Sequence, residues 1–171
     1  MNNYLIEGLS GTGKTTVCRE LQKMGYNAID ADEVFAYFGD PETGLPTKEK
    51  TQFNLMWDKE KVHKALNDTV MPTFVCGGLV NLNEFMPYFK NTFILHVDSD
   101  TLRSRILTRK NNDFGKDPKD LARQLEWNKG VKEYAQQKGA ILIDATKPIQ
   151  EMAQEIMKHV AGSSTPRVES Y

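Results

Sequence analysis

The chain has 171 residues, of which 22 are Lys or Arg and 23 are Asp or Glu, so its formal net charge is -1. This length suits one compact domain with one core. The balanced charge excludes a general attraction to nucleic acid or to anionic membranes, so a polyanion would have to be bound by a local site.

Short apolar runs alternate with longer segments of helical periodicity along the chain. The longer segments at 14–24 and 121–138 are the clearest helices. The short runs are typical of buried parallel strands; in chain order they read NYLIEG, YNAIDA, TFVCGG, TFILHV and AILIDA. This alternation predicts an α/β fold, a doubly wound five-stranded parallel sheet with helices on both faces.

The domain organisation follows from the same pattern. Residues 1–161 are expected to form one domain, and the polar, proline-containing tail at 162–171 is expected to be poorly ordered. The first residues show neither a basic leader nor a long apolar segment, so we expect a cytoplasmic protein without a membrane partner. Two irregular stretches, at 38–53 and 109–120, interrupt the alternation and are expected to carry functional loops.

A glycine-rich stretch lies between the first predicted strand and the first predicted helix. It matches the pattern G-x-x-x-x-G-K-S/T, in which glycines let backbone N–H groups point at phosphate oxygens. A helix N-terminus adds positive potential, the lysine suits the β- and γ-phosphates, and the hydroxyl after it suits Mg²⁺. The sequence therefore predicts an ATP site formed by Gly8, Leu9, Ser10, Gly11, Thr12, Gly13, Lys14, Thr15 and Thr16.

Two carboxylates follow the second predicted strand. Asp30 and Asp32 are separated by one residue, so both are expected at the same edge of the sheet. One can hold a magnesium-bound water, and the other can accept a proton from an attacking hydroxyl. Asp32 could instead be the N-cap of the next helix. Their pairing beside the glycine-rich loop favours metal binding through water for Asp30 and catalysis for Asp32.

Arg105 and Arg109 are spaced by four residues on the predicted helix after the fourth strand, just before the second irregular stretch. This spacing puts both side chains on one helix face. Guanidinium groups suit a phosphoryl group in transfer, and one of them can stack on adenine. The alternative is a solvated surface that also carries Arg103.

The two cysteines, Cys18 and Cys76, have no metal-binding spacing and lie in apolar patterns, so we interpret both as buried free thiols. Other nucleotide-binding classes fit less well. The third strand ends in glycines rather than in the acidic pair of a motor ATPase, and Asn128 to Val131 lacks the aspartate of a GTPase motif. A basic stripe for nucleic acid is also missing. A nucleotide-binding regulator without phosphate transfer remains open.

Taken together, these motifs resemble the nucleoside and nucleotide kinase group of P-loop proteins, which includes shikimate kinase and adenylate kinase. The resemblance implies the strand order 2-3-1-4-5, a lid at about 110–118 and an acceptor-binding region at about 32–70. It also implies catalytic roles for Lys14, Asp32 and Arg109. Arg105 and Arg109 resemble the lid entrance of adenylate kinase, where the first arginine packs on adenine and the second contacts phosphate.

Two further segments carry the resemblance. Thr146, Lys147 and Pro148 are similar to the adenine-side loop of adenylate kinases, which implies an ATP contact there. Gly77 and Gly78 resemble glycines that line the acceptor pocket of shikimate kinase. The chain departs from the group in having no arginine between Arg19 and Arg103, so a bidentate anion clamp is missing.

Aromatic residues and carboxylates occupy the region where the group has those arginines. They suit a neutral or cationic acceptor with a hydroxyl group, although ordinary core packing is an equal alternative for most of the aromatics. The predicted acceptor-binding residues are Asp32, Phe35, Phe53, Trp57, Gly77 and Gly78. Lysines such as Lys48, Lys59 and Lys64 keep a monophosphate acceptor open.

The sequence thus predicts an ATP-dependent small-molecule kinase. It would transfer the γ-phosphate to a hydroxyl of a nucleoside-like or other neutral metabolite, with Mg²⁺ bound by Thr15 and, through water, by Asp30. ATP and this acceptor are the expected partners, nucleic acid is not, and we expect a monomer or weak homodimer. The alternatives are a nucleoside monophosphate kinase of the adenylate type and an ATP-binding regulator or ATPase without transfer.

Overall fold

The computed structural model describes residues 2–51, 53–67, 71–110 and 112–162. Residue 111 of the predicted lid, residues 52 and 68–70 of the predicted acceptor-binding region, and tail residues 163–171 lie outside the described residues. No helix within the described ranges is long and apolar enough to cross a membrane.

The strands alternate with helices as the apolar pattern predicts. The strands are β1 (Asn3–Gly8), β2 (Asn27–Asp30), β3 (Ala36–Phe38), β4 (Leu55–Trp57), β5 (Thr73–Cys76), β6 (Asn91–His96) and β7 (Ile141–Asp144). The helices are α1 (Lys14–Lys23), α2 (Ala31–Val34), α3 (Lys59–Asn67), α4 (Ser99–Thr108), α5 (Pro118–Lys129), α6 (Val131–Lys138) and α7 (Ile149–Gly162). A 3-10 helix covers Leu82–Tyr88.

The central sheet has five parallel strands in the order β2-β5-β1-β6-β7. Counted in chain order among these five, this is 2-3-1-4-5, so the predicted fold class and strand order are confirmed. Every strand therefore ends at the same edge of the sheet, and the loop after β1 lies at the centre of that edge.

The core lies on both faces of the sheet because successive strand residues point in opposite directions. Tyr4 and Ile6 join one apolar cluster, whereas Leu5 between them joins the other. Cys18 and Cys76 are free and buried in the first cluster, so the prediction of buried free thiols is confirmed.

The single helix predicted over 121–138 is wrong, because the segment forms two helices that meet at Gly130. The N–H of Gly130 bonds to the carbonyl of Trp127, three residues back (N–O distance 3.1 Å), as in a tightened last turn of a helix. Glycine has a low helix propensity, so the sequence permits an interruption at this position.

The antiparallel pair β3 and β4 was not predicted. It pairs Ala36 with Trp57 and Phe38 with Leu55, so the two strands lie at the two ends of the first irregular stretch. At the tip of the connection, the Asp40 carboxylate accepts from the N–H and hydroxyl of Thr43 (2.8 and 3.0 Å). The hairpin brings Trp57 from far along the chain to a position beside α2.

Candidate active site

The glycine-rich loop between β1 and α1 is held in a conformation that depends on glycine. Gly13, at the N-cap of α1, has a φ of 107°, in the left-handed region. At Gly8 a β-carbon would lie 2.7 Å from the carbonyl oxygen of Leu95. Gly13 is therefore favoured by its left-handed backbone conformation, and Gly8 by the close approach of the Leu95 backbone, which leaves no room for a side chain.

The Lys14 ammonium lies inside the curve of this loop. Its Nζ donates to the carbonyls of Gly8 (2.7 Å) and Leu9 (3.4 Å). Burial lowers the pKa of Lys14, and the negative charges of Asp32, Asp30 and Glu7 oppose that shift. The loop therefore holds a cation that several carboxylates surround.

The other loop residues surround the start of α1. The Thr12 hydroxyl donates to the Leu9 carbonyl (2.8 Å), which stabilises the turn. The side chains of Thr15 and Thr16 are exposed in the first turn of α1. Their hydroxyls are accessible to a ligand at the helix N-terminus.

Asp32 is held by two donors beside the loop. Its Oδ1 accepts from the indole N–H of Trp57 and from the backbone N–H of Gly78, both at 3.1 Å. A β-carbon at Gly77 would lie 2.5 Å from the same oxygen, so this glycine allows the close approach. The alternative interpretation of Asp32 as an N-cap is wrong, because Asp30 occupies the N-cap position of α2.

Asp30 makes no side-chain capping bond although it is the N-cap residue. Its half-buried carboxylate lies at the carboxyl end of β2, and its charge acts on Lys14. Asp30 and Asp32 thus both lie near the Lys14 ammonium. Two acids with different hydrogen bonding therefore share one edge of the sheet.

The two predicted arginines make different contacts. Arg105 donates to the Ala145 carbonyl through Nη2 (2.9 Å) and to the Thr12 carbonyl through Nη1 (3.5 Å). It thereby links α4, the glycine-rich loop and the segment after β7. The solvated-surface alternative is wrong for Arg105, because its guanidinium bonds to these buried segments.

Arg109 lies at the C-cap of α4. Its Nη1 donates to the Ser10 hydroxyl (2.9 Å), and its Nη2 donates to the Phe114 carbonyl. The Nε is buried and has no hydrogen-bond partner among the described residues. Arg109 therefore joins the glycine-rich loop to the predicted lid and keeps one donor available for a ligand oxygen.

A cavity of about 300 Å³ lies on the Arg105 side of the loop. The loop, α1 and the segment after β7 form its wall, which includes Gly11, Gly13, Arg105, Ala145, Lys147 and Met152.

The segment after β7 is fixed by its own side chains. The Thr146 hydroxyl donates to Asp144 (2.6 Å), the Lys147 ammonium pairs with Glu155 (2.9 Å), and the Pro148 carbonyl accepts from Met152 at the start of α7 (3.1 Å). Of the three predicted adenine-side residues, Lys147 lines this cavity.

The predicted aromatic residues do not share one environment. Phe35 and Trp57 are 1% and 0% exposed, and their rings pack edge to face with centroids 6.1 Å apart. Phe53 is 53% exposed, and the guanidinium carbon of Arg123 lies 5.2 Å from its ring centroid. Trp57 therefore reaches the site through its N–H group rather than through an open ring face.

Sequence reasoning missed Glu7 and Tyr134. Glu7 is only 7% exposed at the end of β1, and its carboxylate lies near the Tyr134 hydroxyl. Burial raises the pKa of Glu7, while Tyr134, Lys14 and Lys138 oppose that shift. Burial and the nearby Glu7 carboxylate together raise the pKa of Tyr134 to about 12. A charged residue inside an apolar strand was the available signal for Glu7.

Residues 5–126, more than half of the chain, match the protein family described as AAA domain. The chain belongs to the AAA domain family. The matched region of this AAA domain begins in β1 and ends in α5, so it includes the glycine-rich loop, both acids and both arginines.

Several solved structures that share the fold of this AAA domain are kinases. Shikimate kinase from Acinetobacter baumannii aligns with a TM-score of 0.63 and 19% identity, over 97% of this chain and 96% of that one. Gluconokinase from Sinorhizobium meliloti 1021 aligns with a TM-score of 0.55 and 20% identity, over 95% and 93%. Deoxyadenosine kinase from M. mycoides aligns with a TM-score of 0.57 and 19% identity, over 95% of this chain and 100% of that one. The resemblance to P-loop small-molecule kinases is confirmed in fold.

A curated relative of this AAA domain is a nucleotide-binding protein from Thermotoga petrophila. It is 24% identical over 174 aligned positions, which cover 98% of this chain and 57% of that protein. The chain therefore spans somewhat more than half of its relative's length.

Proposed function

We propose that this protein is an ATP-dependent phosphotransferase that moves the γ-phosphate of ATP to a hydroxyl group of a small, uncharged acceptor. The observation that carries this proposal is Asp32. Its carboxylate is fixed by two hydrogen bonds at 3.1 Å, and its negative charge raises the pKa of the P-loop lysine, Lys14. A simple nucleotide-binding site does not require an oriented carboxylate beside that lysine.

The nucleotide would lie across the glycine-rich loop. Backbone N–H groups and Lys14 would bind its phosphates, and Thr16, Arg105 and the 146–148 segment would surround its base. The cavity beside Arg105 supports this orientation, because it adjoins the start of α1. In this assignment Lys14 exchanges its bonds to loop carbonyls for bonds to phosphate oxygens.

The residues present fit a magnesium ion. Hydroxyl and carboxylate oxygens are the ligands Mg²⁺ prefers, and Thr15 and Asp30 offer both. No cluster of three or more His, Cys, Asp or Glu side chains suited to a metal exists among the described residues, so Thr15 and Asp30 would act together with nucleotide phosphates and water. A bound ion would neutralise charge on the phosphates during transfer.

Asp32 would act on the acceptor. The acceptor hydroxyl oxygen forms a bond to the γ-phosphorus, the bond from that phosphorus to the β–γ bridging oxygen breaks, and the hydroxyl proton passes to Asp32. The products are the phosphorylated acceptor and ADP. Arg109, with an unpartnered Nε, would stabilise charge on the transferred group.

The acceptor would contact Asp32, Gly77, Gly78 and the exposed ring of Phe53. Phe35 and Trp57 are too buried to offer a ring face. We assign Trp57 to positioning instead, because its N–H holds Oδ1 of Asp32 and thereby orients the other carboxylate oxygen.

The test is transfer of labelled γ-phosphate from ATP to a panel of nucleosides, nucleoside 5′-monophosphates, sugar acids and amino alcohols. We expect product with an uncharged acceptor and none with Lys14→Met, whereas Lys23→Met, on the exposed end of α1, should remain active. Labelled product from a monophosphate, with the parent nucleoside inert, would favour the adenylate-type alternative. ATP binding without any labelled product would favour the regulator.

A further inference from the structure

A second cavity, of about 420 Å³, lies on the other side of the glycine-rich loop from the Arg105 cavity. Its wall is Leu9, Glu126, Trp127, Gly130, Val131 and Tyr134, and we call it the α5–α6 groove. Trp127 is 48% exposed and Tyr134 is 40% exposed, so both rings are accessible from solvent.

The break at Gly130 explains why two aromatic rings face outward here. Asn128 fixes the end of α5 by donating to the Val97 carbonyl (3.0 Å). Val131 and Ala135 fix α6 by packing against Ile94 and Leu9. Because the apolar face of α6 is thus directed to the sheet, Tyr134 remains on its open side, and Trp127 is exposed in the last turn of α5 beside it.

The groove borders the glycine-rich loop, and a short series of neighbouring residues leads from its wall to Asp32. Leu9 belongs to the glycine-rich loop, and the Tyr134 hydroxyl lies near enough to the Glu7 carboxylate for the two groups to shift each other's pKa. Glu7 in turn adjoins Gly78, where a β-carbon would lie 3.8 Å from Cβ of Glu7. Gly78 is the residue whose N–H binds Asp32. A small molecule in the groove could therefore extend a hydroxyl toward Asp32.

The charges around the groove are largely paired. Glu126 at its rim is ion-paired with Lys129 (2.6 Å). Lys138 lies 5.8 Å from the Tyr134 ring centroid, and its ammonium also donates to Asn83 (3.2 Å). Among the described residues, the groove lining therefore offers aromatic and aliphatic surface and the paired Glu126, but no arginine for a bidentate anion contact.

We propose that the α5–α6 groove binds the planar ring of the acceptor, and that the acceptor is an uncharged ring compound with a free hydroxyl group. This inference rests on the proposed function, which supplies the reaction at Asp32. Aromatic side chains bind flat rings by stacking, and such contacts tolerate different ring identities.

The experiment measures binding separately from catalysis. Thymidine, deoxycytidine and guanosine are titrated calorimetrically into the full chain, with the nucleotide site filled by a non-hydrolysable ATP analogue. Shikimate, gluconate and thymidine 5′-monophosphate serve as anionic probes. Trp127→Ala should weaken nucleoside binding at least tenfold, and Glu133→Ala, an exposed change on α6 outside the groove, should leave it unchanged.

Each outcome decides the proposal. It is overturned if Trp127→Ala leaves nucleoside binding intact, if none of the three nucleosides binds, or if only the anionic probes bind. In the last case Lys138→Gln should abolish their binding. Nucleoside binding that depends on Trp127 without any phosphate transfer would support the groove and contradict the proposed kinase activity. Phosphate transfer that Trp127→Ala leaves unchanged would support the proposed kinase activity and contradict the role of the groove.

Discussion

Asp32 and Asp30 have different surroundings, although only one residue separates them. Asp32 is fixed by Trp57 and Gly78, whereas Asp30 makes no capping bond. Asp32→Asn should therefore lower turnover by about 10²- to 10⁴-fold, as expected for a lost general base, with little effect on ATP affinity. Asp30→Asn should instead raise the Mg²⁺ concentration that gives half-maximal rate. Steady-state kinetics at several Mg²⁺ concentrations separate the two, and equal behaviour of both variants would contradict these roles.

Trp57 provides the second prediction. Trp57→Phe removes one of two donors to Asp32, and we expect turnover to fall about tenfold, since a hydrogen bond to a charged group contributes roughly 1.5–3 kcal/mol. The KM for the acceptor should change little. Phe85→Leu is the control. The ring centroids of Phe85 and Trp57 lie 5.8 Å apart, but the Phe85 side chain has no N–H or O–H to donate to Asp32. If both variants lose stability and neither loses turnover, Trp57 is only a core residue.

Glu7 makes stability depend on pH. Burial raises its pKa above the usual 4.5, so between 4.5 and the raised value the folded chain holds a proton that the unfolded chain has lost. The contribution of Glu7 to unfolding free energy must then fall as pH rises through that window. Unfolding free energies measured with denaturant from pH 4.5 upward should decrease with pH in the unsubstituted protein. The Glu7→Gln variant should lack the part of this decrease that Glu7 contributes. Glu133→Gln, at an exposed site on α6, should retain that part.

At the scale of elements, the helices and loops at the sheet edge are joined by a few side chains. Arg109 connects α4 to Ser10 in the glycine-rich loop and to Phe114 in the predicted lid. Gly115, with a φ of 82°, is buried, and a β-carbon there would lie 3.3 Å from Ile106 of α4. The segment at 112–117 therefore packs on the helix that carries both arginines.

This connection predicts a selective defect in Arg109→Ala. If 112–117 closes over the phosphates and brings Arg109 to the transferring group, the variant should lose turnover by about 10²-fold or more, because one preorganised donor contributes on that scale. ATP affinity should change much less. Arg103→Ala, at an exposed position on α4, is the matched control. A variant whose ATP affinity falls as much as its turnover would place Arg109 in ground-state binding only.

At the scale of the whole molecule, the sequence predicted features that depend on local patterns. The five parallel strands and the glycine-rich loop each lie within a few consecutive residues, so periodicity and spacing reveal them. The β3–β4 hairpin escaped prediction because strands of three residues carry almost no periodicity. The contacts of Trp57 with Asp32 and of Tyr134 with Glu7 escaped it as well, because each joins residues far apart in sequence.

The nucleotide site joins distant parts of the chain, so its occupation should stabilise the domain as a unit. The Arg105 side chain contacts both the glycine-rich loop and the segment after β7. At a concentration 100 times Kd, ATP should add about 2.7 kcal/mol to the unfolding free energy. For a domain of this size that corresponds to a rise in Tm of roughly 5–10 °C.

Thermal unfolding with a non-hydrolysable ATP analogue measures this rise. Arg105→Ala should reduce it, because Arg105 lines the cavity where the proposed binding mode places the base, whereas Arg103→Ala should keep it. Unfolding that separates into two transitions, with only one of them shifted by the analogue, would show that the strands on the two sides of β1 do not form one cooperative unit. A single transition that shifts as a whole supports a site built across the entire sheet edge, so that one bound nucleotide connects α1, α4 and α7.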